Sequence, residues 1–155
     1  MNKENIGYMP QAKTVEWGTP QELFDRLNEE FNFTLDPCAT KDNAKCEKYF
    51  TIKENGLIQS WKDEIVFMNC PYGREMKFWM EKAFKETNKI DGAKIVVGLL
   101  KATTDTIPFH KFIYKKNTEI RFIKGRVKYI DGNKPQPAPF PSMIVIWKNI
   151  NTQSL

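Results

Sequence analysis

Two four-residue segments have the residue types and setting to do chemistry. Asp36-Pro37-Cys38-Ala39 follows the strand-like run Phe33-Thr34-Leu35, and Asn69-Cys70-Pro71-Tyr72 follows the apolar run Ile65-Val66-Phe67-Met68. A carboxylate in the first suits the amine or hydroxyl groups of a ligand. The second offers a primary amide, outward-turned backbone carbonyls and an aromatic face. Turn formation explains either tetrapeptide alone, because Asp and Asn start turns and proline ends strands. Their shared position after buried strands favours a site, since ligands of open α/β sheets bind beyond the carboxyl ends of the strands.

Such a site needs strands and helices in a particular order. The run over residues 65–68 has the pattern of a strand covered on both faces. Met76, Trp79, Met80, Ala83 and Phe84 recur at helical spacing and predict a helix over residues 74–87. A second buried strand, residues 95–100, leads into Thr103-Thr104-Asp105 and a short helix through Phe109, Phe112 and Ile113. Upstream, Thr19 is placed to cap a helix, with Pro20 at its first position and Glu22 completing a capping box. Leu23, Phe24, Leu27 and Phe31 then predict an amphipathic helix over residues 20–30. Residues 33–35 and, more weakly, 49–52 are further strand candidates.

The alternation implies right-handed crossovers and an α/β class, a mostly parallel, doubly wound, Rossmann-like sheet. Residues 119–124 and 143–148 are strand-like with no clear helix between them, only Asp131-Gly132 and a proline-rich loop at 135–141. They predict an antiparallel pair closing one sheet edge. The expected organisation is a flexible arm over residues 1–15, one domain over 16–150 and a tail over 151–155.

At 155 residues the chain has no room for a large separate reader domain, so any target recognition falls to loops or to a second subunit, as in a homodimer. No segment has the roughly 20 apolar residues of a membrane span, and the N-terminus lacks the apolar centre of a signal peptide, so a cytoplasmic protein is expected. Cys38, Cys46, Cys70 and His110 contain no C-x-x-C or H-x-x-x-H pair, so reduced thiols and no metal are expected. Net charge is +5, but residues 101–155 alone carry 10 Lys and Arg against 3 Asp and Glu. That local excess favours contact with phosphates.

Six segments in this order, EWGTPQELFDRL, LDPCAT with NAKCEKYFT, NGLIQSW, NCPYG, KATTDTIPFH and EIRFIKGRVKY, resemble the phage-type, Dam-like DNA N6-adenine methyltransferases. The resemblance spans about residues 16–148 and implies an S-adenosylmethionine-dependent methyltransferase fold, double-stranded DNA as partner, and a phage or prophage origin. It implies that Trp17, Thr19, Pro20, Asp36, Pro37, Cys38 and Ala39 line the S-adenosylmethionine pocket, and that Asn69, Cys70, Pro71 and Tyr72 form the catalytic loop. Cys70 departs from the family pattern, which has proline there.

The chemistry makes the departure interpretable. An adenine amino nitrogen is a poor nucleophile because its lone pair is delocalised into the ring. Accepting its two N–H hydrogens, one on the Asn69 side-chain oxygen and one on the carbonyl of residue 70, localises that pair. Cysteine keeps the carbonyl and loses proline's fixed φ. An adenine within a duplex has to flip out, and Tyr72 offers it a stacking face. Arg74, Lys111, Lys115, Lys116, Lys124, Arg126 and Lys128 are candidates for phosphate contact. Methylation of RNA or of a protein glutamine, and a catalytically weakened nucleic-acid-binding relative, are the alternative readings. Trp61, Trp79 and Trp147 are expected in the core, His110 as a packed or capping residue, and Asp105 as a helix cap or a site residue.

Overall fold

A computed structural model describes residues 17–152, so the expected N-terminal arm and the last three residues lie outside the described residues. The apolar runs form β1 (Ile65–Met68) and β2 (Ile95–Lys101), which pair in parallel. The helix α2 (Met76–Thr87) crosses between them. Its apolar residues repeat every three to four positions and bury Met76, Trp79, Met80 and Ala83, the geometry that periodicity dictates. The helix begins two residues later than expected, because Gly73 with φ +102 leads the chain through a turn first.

The helix α1 (Gln21–Phe31) buries Phe24 and Leu27 and ends at Asn32, which adopts the left-handed conformation. Thr19 does not cap it. Pro20 occupies the cap position, no side chain caps the helix, and the Thr19 hydroxyl is engaged elsewhere. The short helix α3 (Ile107–Phe112) is capped by Thr106, whose hydroxyl accepts from Phe109 N–H at 3.4 Å. Asp105 stays exposed, and His110 bonds the Thr104 carbonyl at 2.9 Å and packs edge-on to Phe109.

The chain then forms β3 (Thr118–Phe122), a hairpin of β4 (Lys128–Asp131) and β5 (Lys134–Pro137), and β6 (Ser142–Lys148). The main sheet has the order β1-β2-β6-β3, with β6 antiparallel to both neighbours. The sheet is therefore mixed, not mostly parallel, although β3 and β6 do close one edge as an antiparallel pair. The strand candidates at 33–35 and 49–52 reduce to single parallel bridges, Leu35 to Val66 and Asp36 to Tyr49. The direction of β6 is not readable from periodicity, because SMIVIWK is buried on both faces like a parallel strand.

The proline-rich loop is half hairpin. Gly132, with φ +61, makes the turn, and Lys134 and Gln136 face β4 opposite Asp131 and Tyr129. Pro135 and Pro137 fall on the alternate positions, so the nitrogens that cannot donate point away from β4.

Alternation along the strands builds two cores. Val66, Met68, Val96, Leu100, Met143, Val145 and Trp147 face α2, α3 and Trp61. Phe67, Val97, Leu99, Ile144 and Ile146 face α1 and the hairpin residues Val127, Tyr129, Ala138 and Phe140. The three expected core tryptophans are all buried. Trp61 and Trp147 also donate their indole N–H groups to the carbonyls of Gly56 and Phe112, at 3.0 and 2.9 Å.

Candidate functional site

Asn69 is the first residue beyond β1, where the sheet stops covering the backbone and side chains from both cores converge. Its amide nitrogen donates to the Trp17 carbonyl at 2.6 Å and to the Thr19 hydroxyl at 2.9 Å. A carbonyl only accepts, so these bonds fix which way the amide faces. The other end, Oδ1, is buried and has no hydrogen-bond partner among the described residues. Buried acceptors are ordinarily satisfied, and leaving one empty costs about 1–3 kcal/mol. The Asn69 oxygen is thus a preoriented acceptor without a donor.

Tyr72 lies against an aromatic cluster that spans the chain. Its ring meets Tyr129 and Phe140 edge-on at 5.9 and 5.2 Å, and Trp17 meets the same two rings at 5.4 and 5.9 Å. The Tyr72 hydroxyl donates to the Leu99 carbonyl at 3.2 Å and lies 2.7 Å from the Tyr129 hydroxyl, which is 3.2 Å from Ser142 Oγ. With the Tyr72 proton given to Leu99, Tyr129 donates to Tyr72 and Ser142 donates to Tyr129. Burial, followed by the neighbouring Tyr129, raises the Tyr72 phenol well above its ordinary pKa, so it stays neutral. Tyr129 and Phe140 were not singled out by sequence. The available signal was an aromatic residue in each of two otherwise polar, turn-rich segments.

Asp36 is 5% exposed. Its carboxylate accepts from the backbone N–H groups of Lys45 and Cys38 at 3.0 and 3.4 Å, stapling the following loop, but no cationic side chain pairs with it among the described residues. Burial pushes its carboxyl up to about 6, against the two backbone bonds that lower it. Pro37 and Ala39 are buried and Cys38 is half-buried. Gly56 packs so closely that a Cβ there would sit 2.1 Å from the Pro37 carbonyl oxygen, which explains the glycine of the NGLIQSW segment. Cys70 is buried, and desolvation pushes its thiol up to about 12; the Cys38 thiol is also raised well above its ordinary range, first by burial and then by Asp36 and Cys70. Both thiols are therefore protonated and poorly nucleophilic. Pro71 is exposed at the loop tip.

Strand register sorts the basic residues. Phe122 pairs with Met143, next to Leu100, so Lys124, Arg126 and Lys128 follow at the site end of the sheet, as does Arg74 after the Asn69 loop. Lys115 and Lys116 precede Thr118, which pairs with Trp147 near the start of β2, so they lie at the opposite end and do not join the others. Lys111, exposed on α3, lies over the Phe112 ring. Lys101, Lys77 and Thr103 were not anticipated. They line a cleft beside the Asn69 loop, and Lys101 sits 5.3 Å above the Phe140 ring.

Among the described residues no group of three or more His, Cys, Asp or Glu side chains could hold a metal ion, and no helix is long and apolar enough to cross a membrane.

Comparison with known proteins matches residues 8–155 to the family model described as DNA N-6-adenine-methyltransferase (Dam). The DNA N-6-adenine-methyltransferase of Escherichia phage T1 is 27% identical over 147 residues, 80% of this chain and 60% of that protein, so the chain spans well under the relative's full length. YfdM of Escherichia coli (strain K12), named as a candidate methyltransferase, is 36% identical over 64 residues, 37% of this chain and 70% of that protein. A solved structure from Pyrococcus horikoshii, named as a candidate RNA methyltransferase, aligns with 87% of this chain and 61% of its own at 17% identity and a TM-score of 0.43. With the family model covering nearly the whole chain, from before Trp17 through the Asn69 loop to the end, the protein belongs to the DNA N-6-adenine-methyltransferase (Dam) family.

Proposed function

We propose that the protein transfers a methyl group from S-adenosylmethionine to the exocyclic amino nitrogen of an adenine flipped out of DNA. The observation that carries this reading is the buried Oδ1 of Asn69, without a hydrogen-bond partner among the described residues and held in orientation by Trp17 and Thr19. An amino group brought to it supplies the missing donor, and the carbonyl of Cys70 takes the second hydrogen. Both contacts draw electron density toward the nitrogen and strengthen as positive charge develops on it, so they favour the transition state over bound substrate. The edge-on packing of Tyr72 against Tyr129 and Phe140 holds its ring in place as a stacking face for the base.

The residues present fit the cofactor. Asp36, buried and in no ion pair among the described residues, suits the amino group of the methionine moiety, and Trp17, Thr19, Pro20, Pro37, Cys38 and Ala39 would form the surrounding wall. The cofactor supplies a methyl group already activated by its sulfonium charge. The protein's own task is then positioning: hold the amide, exclude water through the aromatic cluster, and let the proton leave to solvent after transfer. Asn69, an amide, takes up no proton.

The test is incubation with unmethylated double-stranded DNA and S-adenosylmethionine labelled on its methyl group, followed by nucleoside analysis, with Asn69→Ala in parallel. Label in N6-methyladenine that falls at least 100-fold in the variant is expected. Cofactor binding with label only in RNA or protein overturns the DNA reading.

A further inference from the structure

The cleft beside the Asn69 loop has a composition the proposed chemistry does not require. It has a volume of about 250 Å³ and is walled by Gly73, Arg74, Met76, Lys77 and Met80 on one side and by Lys101, Thr103, Thr106 and Pro108 on the other. Three cations, Arg74, Lys77 and Lys101, line it, and no Asp or Glu does. None of the three forms an ion pair among the described residues, whereas Lys82 and Lys85 on the same helix as Lys77, Lys89 just beyond it and Arg121 on β3 all do. Thr103 Oγ1 is buried and has no hydrogen-bond partner among the described residues, so the cleft wall also holds a donor without an acceptor.

A concentration of positive charge with an unused hydroxyl donor fits an oxyanion. Place decides which one. Arg74 is two residues beyond Tyr72, and Lys101 follows Leu100 on β2 and reaches over Phe140, a ring that Tyr72 also packs against. The cleft therefore opens next to the stacking face proposed for the flipped base, about where the backbone of the same strand must pass.

We propose that this cleft holds a phosphodiester of the strand being methylated, with Lys77, Lys101 and Arg74 as the charged contacts and Thr103 as a neutral donor. The inference rests on the nucleic-acid substrate of the proposed function. Held there, the backbone fixes how far the extruded nucleotide reaches into the site, a positioning role that carries no sequence information.

The test is equilibrium binding of a fluorescently labelled, mixed-sequence DNA duplex at several salt concentrations. Lys77→Gln combined with Lys101→Gln is expected to weaken binding about tenfold or more and to lower the slope of log affinity against log salt by about 1, because one lost phosphate contact removes about 0.9 from it. Thr103→Val is expected to weaken binding several-fold with the slope unchanged, since a hydroxyl displaces no counterion. Lys94→Gln, before β2 at the far end of the sheet, controls for net charge and is expected to leave the slope nearly unchanged, unlike the double variant in the cleft. Unchanged affinity and slope in the double variant overturn the cleft while methyl transfer to DNA, if intact, leaves the proposed function standing. A lowered slope in a protein that transfers no methyl group supports the cleft and overturns the activity instead.

Discussion

The side-chain amide of Asn69 donates to the backbone carbonyl of Trp17 at 2.6 Å across 52 residues of sequence. Thr19 supplies the second restraint at 2.9 Å. Thr19→Val keeps the shape and removes that acceptor, freeing the amide to rotate away from its productive orientation. Steady-state kinetics are expected to show a turnover number lowered on the order of tenfold with little change in the Michaelis constant for DNA. A change confined to the Michaelis constant would place Thr19 in substrate binding instead.

Asp36 predicts a pH dependence of known sign. Burial raises its carboxyl from 3.8 to about 6, so the folded state binds the proton more tightly than the unfolded chain. Its contribution to stability without ligand is therefore greatest below about pH 4 and is lost as pH rises to about 6. Asp36→Asn removes the penalty, so its stability relative to the parent is expected to improve across that window by on the order of 2–3 kcal/mol in urea unfolding. A cationic ligand reverses the preference by favouring the carboxylate. Calorimetric affinity for S-adenosylmethionine is expected to rise through the same window in the parent and to be weaker and flat in the variant.

Cys70 offers a gain-of-function experiment. Among the described residues its backbone N–H makes no bond beyond one to its own thiol, so proline at this position forfeits no backbone hydrogen bond. Cys70→Pro is expected to raise turnover several-fold by fixing the carbonyl that accepts the second amino hydrogen. Single-turnover measurements that show equal or slower transfer would sink this account of the substitution.

Tyr129 is fully buried and sends its proton to Tyr72. Tyr129→Phe retains the ring packing and deletes that donor, and is expected to lower stability by about 1 kcal/mol. If the bond also holds Tyr72 for stacking, turnover falls further than in a variant of equal instability made in the α2 core, such as Met80→Leu. Thermal unfolding and kinetics run on both variants separate the two effects.

Much of the frame was legible because periodicity reports burial. β1, β2, α2 and the core tryptophans sit where apolar spacing placed them, and the two tetrapeptides flank one region because Leu35, just before the first, bridges in parallel to Val66 of β1, which leads into the second. What burial does not encode was harder to read. SMIVIWK is buried on both faces, so its reversed direction is invisible in composition. Thr19 satisfies the pattern of a helix cap, yet its hydroxyl has a better partner in Asn69, which only the fold brings near. Lys115 and Lys116 share a basic segment with Lys124 and Arg126, but the intervening strand carries them to opposite ends of the sheet. Lys101 ends a buried strand and reads as its terminus, so its place in a cleft shared with Lys77 emerges only in three dimensions.

The two outward-facing prolines of β5 bear on assembly. A strand docking alongside β5 would find at Pro135 and Pro137 no N–H to pair with, so the hairpin margin resists extension by a neighbouring molecule. In the main sheet, among the described residues, β3 pairs only with β6 and carries no proline. A copy joining by sheet continuation would meet fewer missing donors at the Thr118–Phe122 border than beside the strand that follows Tyr129, and would there leave the approach to the Asn69 loop open.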